Sequence, residues 1–316
     1  MGDIYDIAII GGGPSGLTAG LYACRGGMTV LLVEKMACGG QMLVADTIEN
    51  FPGFPEGIKG PELSEWMFRQ AEHFGLKTKN AEATKIGLKG SKERIFEIEL
   101  DGREKIEAAS VIIATGARWN CLGIPGEREL SGRGVSYCAT CDGPLFKGRD
   151  VVVVGGGDTA LEDAIFLARF AGKVTIVHRR DRLRATKILQ ERALANEKIE
   201  FCLNAVAVEI TGKNKVEGLK VKDTKTGSER ILKADGVFVL IGMTPNSDIV
   251  KGLTGLDEKG YVITDDEMRA SADGIFACGD VRKKLLRQVV TAAGDGATAA
   301  FSAEHYVERA KGTEYK

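Results

Sequence analysis

Short apolar runs separated by glycine-rich turns dominate the first part of the chain. Ile7–Ile10 is too short for a helix and is typical of a parallel strand that is buried on both faces. A segment with small residues and helical spacing follows, and Val30–Val33 forms the next apolar run. Pro14 suits the first turn of the intervening helix, and Gly26-Gly27 suits its end. The pattern predicts a strand–helix–strand unit.

The same pattern occurs a second time, 144 residues further along the chain. Residues 5–36 and 149–180 align without a gap, and both contain two apolar runs around a glycine triplet. The second copy predicts strands at Val151–Val154 and Val174–Val177, with Asp158 as the capping residue of the helix between them. Two such units in one chain predict an α/β fold with two Rossmann-like nucleotide-binding domains.

Each copy places a glycine motif between its first strand and its helix. In such a motif the first glycine permits a tight turn, the second lets the backbone approach a pyrophosphate, and the third position must be small. The helix N-terminus then offers N–H donors to the phosphates. The alternative is a pair of Rossmann turns that bind no ligand. The motif positions are Gly11, Gly13 and Gly16 in the first copy and Gly155, Gly157 and Ala160 in the second.

The two copies differ at the end of their second strand. Glu34 stands there in the first copy, where an acid accepts hydrogen bonds from a ribose. The aligned residue in the second copy is His178, which Arg179, Arg180 and Arg184 follow. Guanidinium groups pair with a 2′-phosphate, whereas a carboxylate would repel it. This contrast predicts FAD in the first copy and NADPH in the second; a solvated basic helix face is the alternative for the arginines.

Further apolar runs predict how the two domains share the chain. The simplest arrangement is an FAD-binding domain of residues 1–118 and 246–316, interrupted by an NADPH-binding domain of residues 119–245. The joints would be Trp119–Cys121 and Met243–Asn246, and two short connections permit rigid-body rotation. The additional strands are predicted at Val111–Thr115, Val237–Gly242 and Gly274–Asp280, and a helix rich in alanine and glycine at Val289–Ala300.

One C-x-x-C motif suggests the chemistry. A zinc site would need a second cysteine pair or histidines at ligand spacing, and we predict no metal site because neither is evident. Beside a strand–helix–strand unit, Cys138 and Cys141 are typical of a redox-active dithiol. Two inert buried thiols are the alternative. Asp142 follows directly, where it either caps a helix or transfers the thiol proton.

The composition of the chain excludes several classes of protein. A net charge of −1 leaves no basic excess to hold a nucleic acid or an acidic membrane surface. No run approaches the roughly 18 apolar residues that a membrane helix needs, and the N-terminal segment lacks a secretion signal. Seven cysteines without such a signal predict a cytoplasmic protein whose thiols are mostly reduced. The 41 glycines among 316 residues exceed the average share of about 7% and suit close backbone approaches to cofactors.

Eight short motifs occur in order along the chain, namely GGGPSG, GGQ at 39–41, ENFPGFP at 49–55, CATCDG at 138–143, GGGDTALE, HRRDRLRA, ACGD and RQVVTAAGDGATAA. Together they resemble the low-molecular-weight thioredoxin reductases of bacteria over essentially the whole chain. The resemblance excludes the larger glutathione-reductase branch, because its dithiol lies near the first nucleotide motif. Some relatives lack the three arginines after the second strand and take electrons from ferredoxin, whereas this chain keeps them.

The resemblance implies a homodimeric thioredoxin-disulfide reductase whose domains rotate between half-reactions. Electrons would pass from NADPH to FAD, to the Cys138–Cys141 disulfide and on to oxidised thioredoxin. Cys141 would lie closest to the flavin, Cys138 would attack thioredoxin, and Asp142 would be the acid. The implied FAD contacts are Gly11, Gly12, Gly13, Pro14, Ser15, Gly16, Glu34, Gly40, Gln41, Asn50, Ala83, Gly279, Asp280, Arg287 and Gln288. The implied NADPH contacts are Gly155, Gly156, Gly157, Asp158, Thr159, His178, Arg179, Arg180 and Arg184.

Two other functions use the same features. The first is a flavoprotein on this scaffold that serves another disulfide carrier or oxidises a small dithiol. The second is a nucleotide-binding redox sensor with a regulatory disulfide and negligible turnover. Two local features also stand outside the family pattern. Cys38 is expected to be a small buried side chain, with a place beside the flavin as the alternative, and Arg282-Lys283-Lys284 is expected to be a solvated basic run.

Overall fold

The chain forms two compact units. The computed structural model describes residues 4–45, 47–89 and 95–313. Met1–Arg118 and Thr244–Lys316 together make the first, which we refer to as the split unit. Trp119–Met243 makes the second, the inserted unit. The chain therefore passes from one unit to the other twice.

The helices and strands follow the apolar runs of the sequence. The first segment of the split unit contains β1 (Ile4–Ile10), α1 (Pro14–Arg25), β2 (Val30–Glu34), α2 (Gly60–His73), β3 (Lys77–Asn80), β4 (Ala83–Lys89), β5 (Ile95–Leu100) and β6 (Glu104–Ile113). Strand β7 (Ala117–Trp119) follows and ends at the first residue of the inserted unit. The inserted unit contains β8 (Val135–Ser136), α3 (Ala139–Asp142), β9 (Asp150–Val154), α4 (Asp158–Leu167), β10 (Lys173–His178), α5 (Lys187–Leu194), β11 (Ile199–Leu203), β12 (Ala205–Thr211), β13 (Gly218–Asp223), β14 (Glu229–Lys233) and β15 (Gly236–Val239). The last segment contains β16 (Met243–Pro245), β17 (Ile275–Ala277) and α6 (Val289–Lys311).

The main sheet of the split unit has the strand order β3-β2-β1-β6-β5-β4, with β17 beside β6. Strands β3, β2, β1, β6 and β17 are parallel, and β5 and β4 continue as an antiparallel meander. Ile7 and Ile9 of β1 pack into one apolar core, which also contains Leu17 of α1, and Ala8 and Ile10 pack into another. Burial on both faces explains why the apolar run of β1 is continuous.

The inserted unit repeats this design on a smaller scale. Its parallel sheet has the order β11-β10-β9-β15-β8, and β12, β13 and β14 form a separate antiparallel sheet. Val151 and Val153 pack with α4 on one face, whereas Val152 and Val154 pack with the antiparallel sheet on the other. The two Rossmann-like sheets that the repeated pattern predicts are therefore confirmed, and the additional predicted strands are present as β6, β15 and β17.

The ends of two helices test the local predictions. Helix α1 begins at Pro14 and is followed by Gly26 and by Gly27, whose φ is +82°, as the pattern predicts. In α4 the prediction of Asp158 as a capping residue is wrong. Gly157 holds the extended capping conformation, so Asp158 is already the first helical residue. Its carboxylate turns away and accepts the backbone N–H of Thr186 at 2.6 Å.

Helix α6 is longer than the prediction, which ended at Ala300. It continues to Lys311 because Ala303 and Val307 keep one face buried, and it ends before Gly312, whose φ is +69°. Its glycine content permits a close helix contact: a Cβ at Gly296 would overlap the carbonyl oxygen of Ser15 in α1. Within the described residues, no helix is both long and apolar enough to cross a bilayer.

Candidate functional site

The first glycine loop is tightly packed except at one position. Gly11 has a φ of +108°, and a side chain there would overlap the carbonyl of Ala114. A Cβ at Gly16 would overlap the carbonyl oxygen of Gly11, which explains the requirement for a small third residue. A Cβ at Gly13, by contrast, would meet no atom within 4 Å. Because Gly13 directly precedes α1, the open side of the loop lies at a helix N-terminus, where an anion is favoured.

Glu34 connects this loop to the end of β2. Its Oε2 accepts the N–H of Gly12 at 2.7 Å, and its Oε1 accepts the N–H of Met36 at 3.0 Å. A cavity of about 590 Å³ lies at the carboxyl ends of β1 and β2. Its lining includes Gly11, Glu34 and Ala83, so the structure brings these three predicted contacts together.

The GGQ motif lies against the same loop. The N–H of Gly39 donates to the carbonyl of Gly12 at 2.7 Å, and a Cβ at Gly40 would stand 3.2 Å from the Cα of Gly13. The side chain of Gln41 donates to the carbonyl of Ala117. Further predicted contacts also meet in pairs: Asn50 Nδ2 donates to Gln288 Oε1 at 2.9 Å, and a Cβ at Gly279 would meet Ser15 Oγ at 2.5 Å.

Asp280 and Arg287 present buried polar atoms at the end of β17. Oδ1 of Asp280 and Nε of Arg287 are buried and have no hydrogen-bond partner among the described residues. Burial raises the pKa of Asp280, although the charges of Lys284 and Arg287 act in the opposite direction. The guanidinium of Arg287 lies 4.2 Å from the ring centroid of Tyr261, a neighbour that the sequence did not reveal. Unsatisfied buried groups are costly, so the pair suits a ligand that carries hydroxyls and ring heteroatoms.

Two of the three residues in the basic run Arg282-Lys283-Lys284 are not solvated as predicted, whereas Lys283 is exposed. Arg282 Nη1 pairs with Asp295 Oδ1 at 3.1 Å, and Lys284 Nζ pairs with Asp295 Oδ2 at 2.6 Å, with the side chains of Arg282, Lys284 and Asp295 only 9–13% exposed. Asp295 also accepts the N–H of Gly279 at 3.1 Å. The prediction was wrong because a local charge pattern does not show the carboxylate that α6 brings to it. Asp295 thereby holds the turn that carries Asp280.

The second glycine loop has the same backbone plan with different surroundings. A Cβ at Gly155 would meet the carbonyl oxygen of Leu240 at 2.5 Å and the real Cβ of Ala160 at 2.6 Å. A Cβ at Gly157 would again meet no atom within 4 Å. Asp158 and Thr159, the predicted contacts of the first helical turn, are exposed. The loop is thus closed by packing on one side and open at the N-terminus of α4, like the first.

His178 and the arginines after it surround this second loop. The buried ring of His178 fills the space beside Gly156, and its Nε2 has no hydrogen-bond partner among the described residues. Burial lowers the pKa of His178, and the nearby arginines lower it further. The N–H of Arg184 donates to the carbonyl of Gly156 at 2.7 Å, which folds the arginine segment back onto the loop. Arg179, Arg180 and Arg184 are exposed, and no carboxylate of the described residues pairs with them.

The C-x-x-C motif forms a disulfide at the start of α3. Cys138 and Cys141 are bonded, with their Cα atoms 5.3 Å apart. Cys138 is the capping residue of α3, because its sulfur accepts the N–H of Cys141 at 3.2 Å. Asp142 is the half-buried last residue of α3 and stands at the N-terminal cap position of the short 3₁₀ helix that follows, without a capping hydrogen bond from its side chain. Its position leaves it directly beside the disulfide in sequence.

Cys38 lies beside the first glycine loop. A Cβ at Gly12 would stand 2.8 Å from its sulfur, and the side chain is half-buried. Burial, together with the charges of Glu34 and Glu72, raises the pKa of its thiol to about 11. The thiol is therefore a poor nucleophile at neutral pH. In the described ranges, no three side chains of metal-ligand type cluster together.

Comparison with known proteins agrees with this geometry. Residues 5–296 match the family model described as pyridine nucleotide-disulphide oxidoreductase. The chain is 49% identical over 311 residues to thioredoxin reductase of Bacillus subtilis, an alignment that covers 98% of this chain and 97% of that one. The crystal structure of thioredoxin reductase from Streptococcus pyogenes is 48% identical and superimposes with a TM-score of 0.92 over 97% of this chain and 99% of that chain.

A second solved structure extends the comparison. The thioredoxin reductase of Lactococcus lactis in its FR conformation is 44% identical, with a TM-score of 0.65 over 96% of this chain and 99% of that one. These findings confirm the family that the motifs indicated. The chain belongs to the pyridine nucleotide-disulphide oxidoreductases and, within them, to the low-molecular-weight thioredoxin reductases.

Proposed function

We propose that this chain transfers electrons from NADPH through FAD and the Cys138–Cys141 disulfide to oxidised thioredoxin. The observation that carries the proposal is the disulfide at the start of α3, in the same unit as the arginine-flanked glycine loop. The split unit would hold FAD, and the inserted unit would hold NADPH. When bound, the flavin would supply the redox chemistry that links hydride transfer from NADPH to reduction of the disulfide.

The residues of the split unit fit FAD. The N-terminus of α1 and the open side of Gly13 would receive the pyrophosphate. Glu34 would accept a ribose hydroxyl, since a carboxylate has about four lone-pair sites and two are used by backbone N–H groups. Asp280 Oδ1 and Arg287 Nε, which are buried without a hydrogen-bond partner in the described part of the chain, would bind the flavin end. Gly40, Gln41, Asn50 and Gln288 would complete that end, and Ala83 would line the adenosine cavity.

The inserted unit fits a dinucleotide with a 2′-phosphate. Three exposed guanidinium groups, those of Arg179, Arg180 and Arg184, stand after β10 where the first copy has a single carboxylate. Arginine binds phosphate bidentately and stays charged. The lowered pKa of His178 keeps its imidazole neutral at pH 7, so the ring packs beneath the loop without adding charge. Gly155, Gly156 and Gly157 would then receive the pyrophosphate at the N-terminus of α4.

The dithiol steps follow from disulfide exchange. In the reduced protein the Cys138 thiolate attacks one sulfur of the thioredoxin disulfide, and the released thioredoxin thiolate takes a proton. The Cys141 thiolate then attacks Cys138 of the mixed disulfide, re-forms the Cys138–Cys141 bond and releases reduced thioredoxin. Asp142 would hold and deliver the proton that the leaving thiolate needs. Two electrons thus leave the protein with two protons.

The proposal extends to assembly and location. A homodimer is proposed from the family, and the exposed apolar side chains of Val44, Trp66 and Phe301 supply surface for a subunit contact. Rotation of the inserted unit is proposed because only two chain crossings join it to the split unit. A cytoplasmic location is proposed because an exchangeable disulfide acts where other thiols are kept reduced.

Steady-state oxidation of NADPH with a panel of thioredoxins tests the proposal. We expect turnover that saturates with at least one thioredoxin and a Cys138→Ser variant that loses it while its flavin is still reduced by NADPH. A protein that binds FAD and NADPH but turns over no thioredoxin would contradict the substrate assignment. Oxygen consumption driven by a small dithiol without NADPH would favour the oxidase function instead.

A further inference from the structure

An aromatic pair stands at the start of the inserted unit. The ring of Tyr137 stacks on the indole of Trp119, with centroids 5.5 Å apart and planes inclined by 19°. Trp119 is the first residue after the chain enters this unit, and Tyr137 directly precedes Cys138. The pair therefore connects the entry point of the chain with the dithiol.

A buried carboxylate strengthens the same connection. Glu127 is only 4% exposed, and its Oε2 accepts the N–H of Gly123 at 2.7 Å. Its Oε1 accepts the N–H of Leu122 at 2.9 Å and the phenol of Tyr137 at 3.1 Å. Three donors satisfy the charge, which is the condition for a buried carboxylate to be tolerated. If any one of the three donors were lost, the buried carboxylate would be left with too few hydrogen bonds, which costs free energy.

The phenol stays a hydrogen-bond donor under all ordinary conditions. Burial, the charge of Glu127 and a hydrogen bond with Cys121 raise the pKa of Tyr137. A neutral phenol always has its proton to give to the carboxylate. The phenol therefore keeps the proton that it donates to Glu127 at neutral pH.

The backbone between Tyr137 and the disulfide has little freedom. The N–H of Cys138 donates to Ser136 Oγ at 3.1 Å, and Cys138 is itself the capping residue of α3. Ser136 belongs to β8, so the chain has one residue, Tyr137, between a fixed strand and a fixed cap. Tyr137 is thus the single residue that joins β8 to the cap residue of the dithiol helix.

We propose that Trp119, Glu127 and Tyr137 form a brace that positions Cys138 for disulfide exchange. The brace touches no reacting atom, so its members are positioning residues. By limiting the motion of residues 136–138 it raises the effective concentration of the Cys138 thiol beside Cys141, which favours closure of the disulfide. The inference rests on the proposed function only in treating this disulfide as exchangeable.

Equilibration of the FAD-loaded protein with glutathione tests the brace. The reaction is protein disulfide plus two GSH giving protein dithiol plus GSSG. Trapping of the denatured protein with a maleimide followed by mass measurement distinguishes the disulfide form, with five free thiols, from the dithiol form, with seven. Tyr137→Leu removes both the stack and the phenol, and we expect a tenfold shift toward the dithiol, which equals about 30 mV. Tyr137→Phe keeps the stack and should shift the equilibrium by a smaller factor.

Two further variants keep the test decisive. Glu127→Gln places an amide where two backbone N–H groups need an acceptor, so it should shift the equilibrium toward the dithiol as well. This variant carries the test if Tyr137→Leu does not fold. Phe170→Leu removes an edge contact with Phe166 in the same unit and should leave the equilibrium within twofold of the parent. Parent-like equilibria in the Tyr137 and Glu127 variants, or an equal shift in the Phe170 control, would overturn the brace. A parent disulfide that exchanges at no glutathione ratio would contradict the proposed function as well.

Discussion

The two glycine loops share a backbone plan and differ in what lies beneath the middle glycine. In the split unit the N–H of Gly12 donates to the carboxylate of Glu34 at 2.7 Å. In the inserted unit the imidazole of His178 fills the aligned space beside Gly156, and its Nε2 forms no hydrogen bond with any residue that the structure describes. The fold therefore provides two similar anion sites, and the residue that ends the second strand makes them chemically different.

The loops also differ in how closely the helix approaches them. A Cβ at Gly16 would overlap the carbonyl oxygen of Gly11, whereas the aligned position in the second loop already holds Ala160. Only the first loop thus requires glycine at its third position. The same motif thus requires glycine at its third position in the first loop and accepts alanine in the second, because the Gly11 carbonyl oxygen occupies the space that a Cβ at residue 16 would need.

The largest expected effect is on the affinity for FAD and comes from a substitution at the third glycine of the first loop. In Gly16→Ala the added methyl must displace the Gly11 carbonyl, and overpacking of this kind costs about 1–3 kcal/mol, so the affinity for FAD should fall by about 5- to 150-fold if the whole cost falls on the FAD-bound form. Flavin content after purification and equilibrium dialysis measure the loss. The matched variant Ala160→Gly should keep full flavin content. Equal flavin content in both variants would erase the proposed difference between the loops.

The next effect concerns the carboxylate of the first loop. Glu34→Gln keeps the shape of the side chain but removes a charge-assisted hydrogen bond to Gly12, worth about 1.5 kcal/mol, so FAD should bind about tenfold more weakly. Flavin fluorescence during dilution of the protein gives the dissociation constant. Glu258→Gln, at an exposed carboxylate of the split unit that does not line this cavity, serves as the control and should bind FAD like the parent. Unchanged affinity in Glu34→Gln would remove this residue from the adenosine site.

The smallest expected effect is on thermal stability and comes from a difference between the two helices that follow the loops. Burial, helped by the charge of Glu162, raises the pKa of Asp163 in α4 to about 6, whereas the aligned residue in α1 is the fully buried Ala19. The unfolded chain releases this proton near pH 4, so the folded state is penalised as the pH rises through 4 to 6 and stays penalised above it. Asp163→Ala should therefore raise the unfolding temperature at pH 7.5 by about 2–5 °C and have little effect at pH 4.

Thermal unfolding at the two pH values checks this sign. Glu197→Ala, at an exposed position of the same unit, controls for the loss of a surface charge and should not change the unfolding temperature at either pH. A gain for Asp163→Ala at pH 4 that equals the gain at pH 7.5 would show that the carboxyl is not the cause.

The features that the sequence predicted correctly are local ones. Buried parallel strands produce continuous apolar runs, and both glycine loops lie between such runs, so Ile7–Ile10 and Val151–Val154 were recognisable without a structure. The redox-active cysteine pair could be predicted for the same reason, since Cys138 and Cys141 are close in sequence and lie on one short helical turn. Periodicity and spacing act within a few residues, which is the range that a sequence pattern displays.

The features that were missed depend on contacts between separate segments. Arg282 and Lys284 were expected in solvent because Asp295, on the helix that follows, is not part of their local pattern. Asp158 was expected to cap α4, but the backbone of Gly157 takes that role and frees the carboxylate for Thr186. The brace was also not visible, because Trp119, Glu127 and Tyr137 become neighbours only when the chain folds.

The ratio of kcat/KM for NADPH to that for NADH, measured in the parent and in an Arg179→Ala and Arg180→Ala double variant, tests the central claim most directly. The two cofactors differ only in the 2′-phosphate, so the ratio isolates the groups that bind it. We expect the double variant to raise KM for NADPH far more than KM for NADH and to lower the ratio by at least about tenfold. An equal loss with both cofactors would contradict the assignment of a 2′-phosphate site to the second loop.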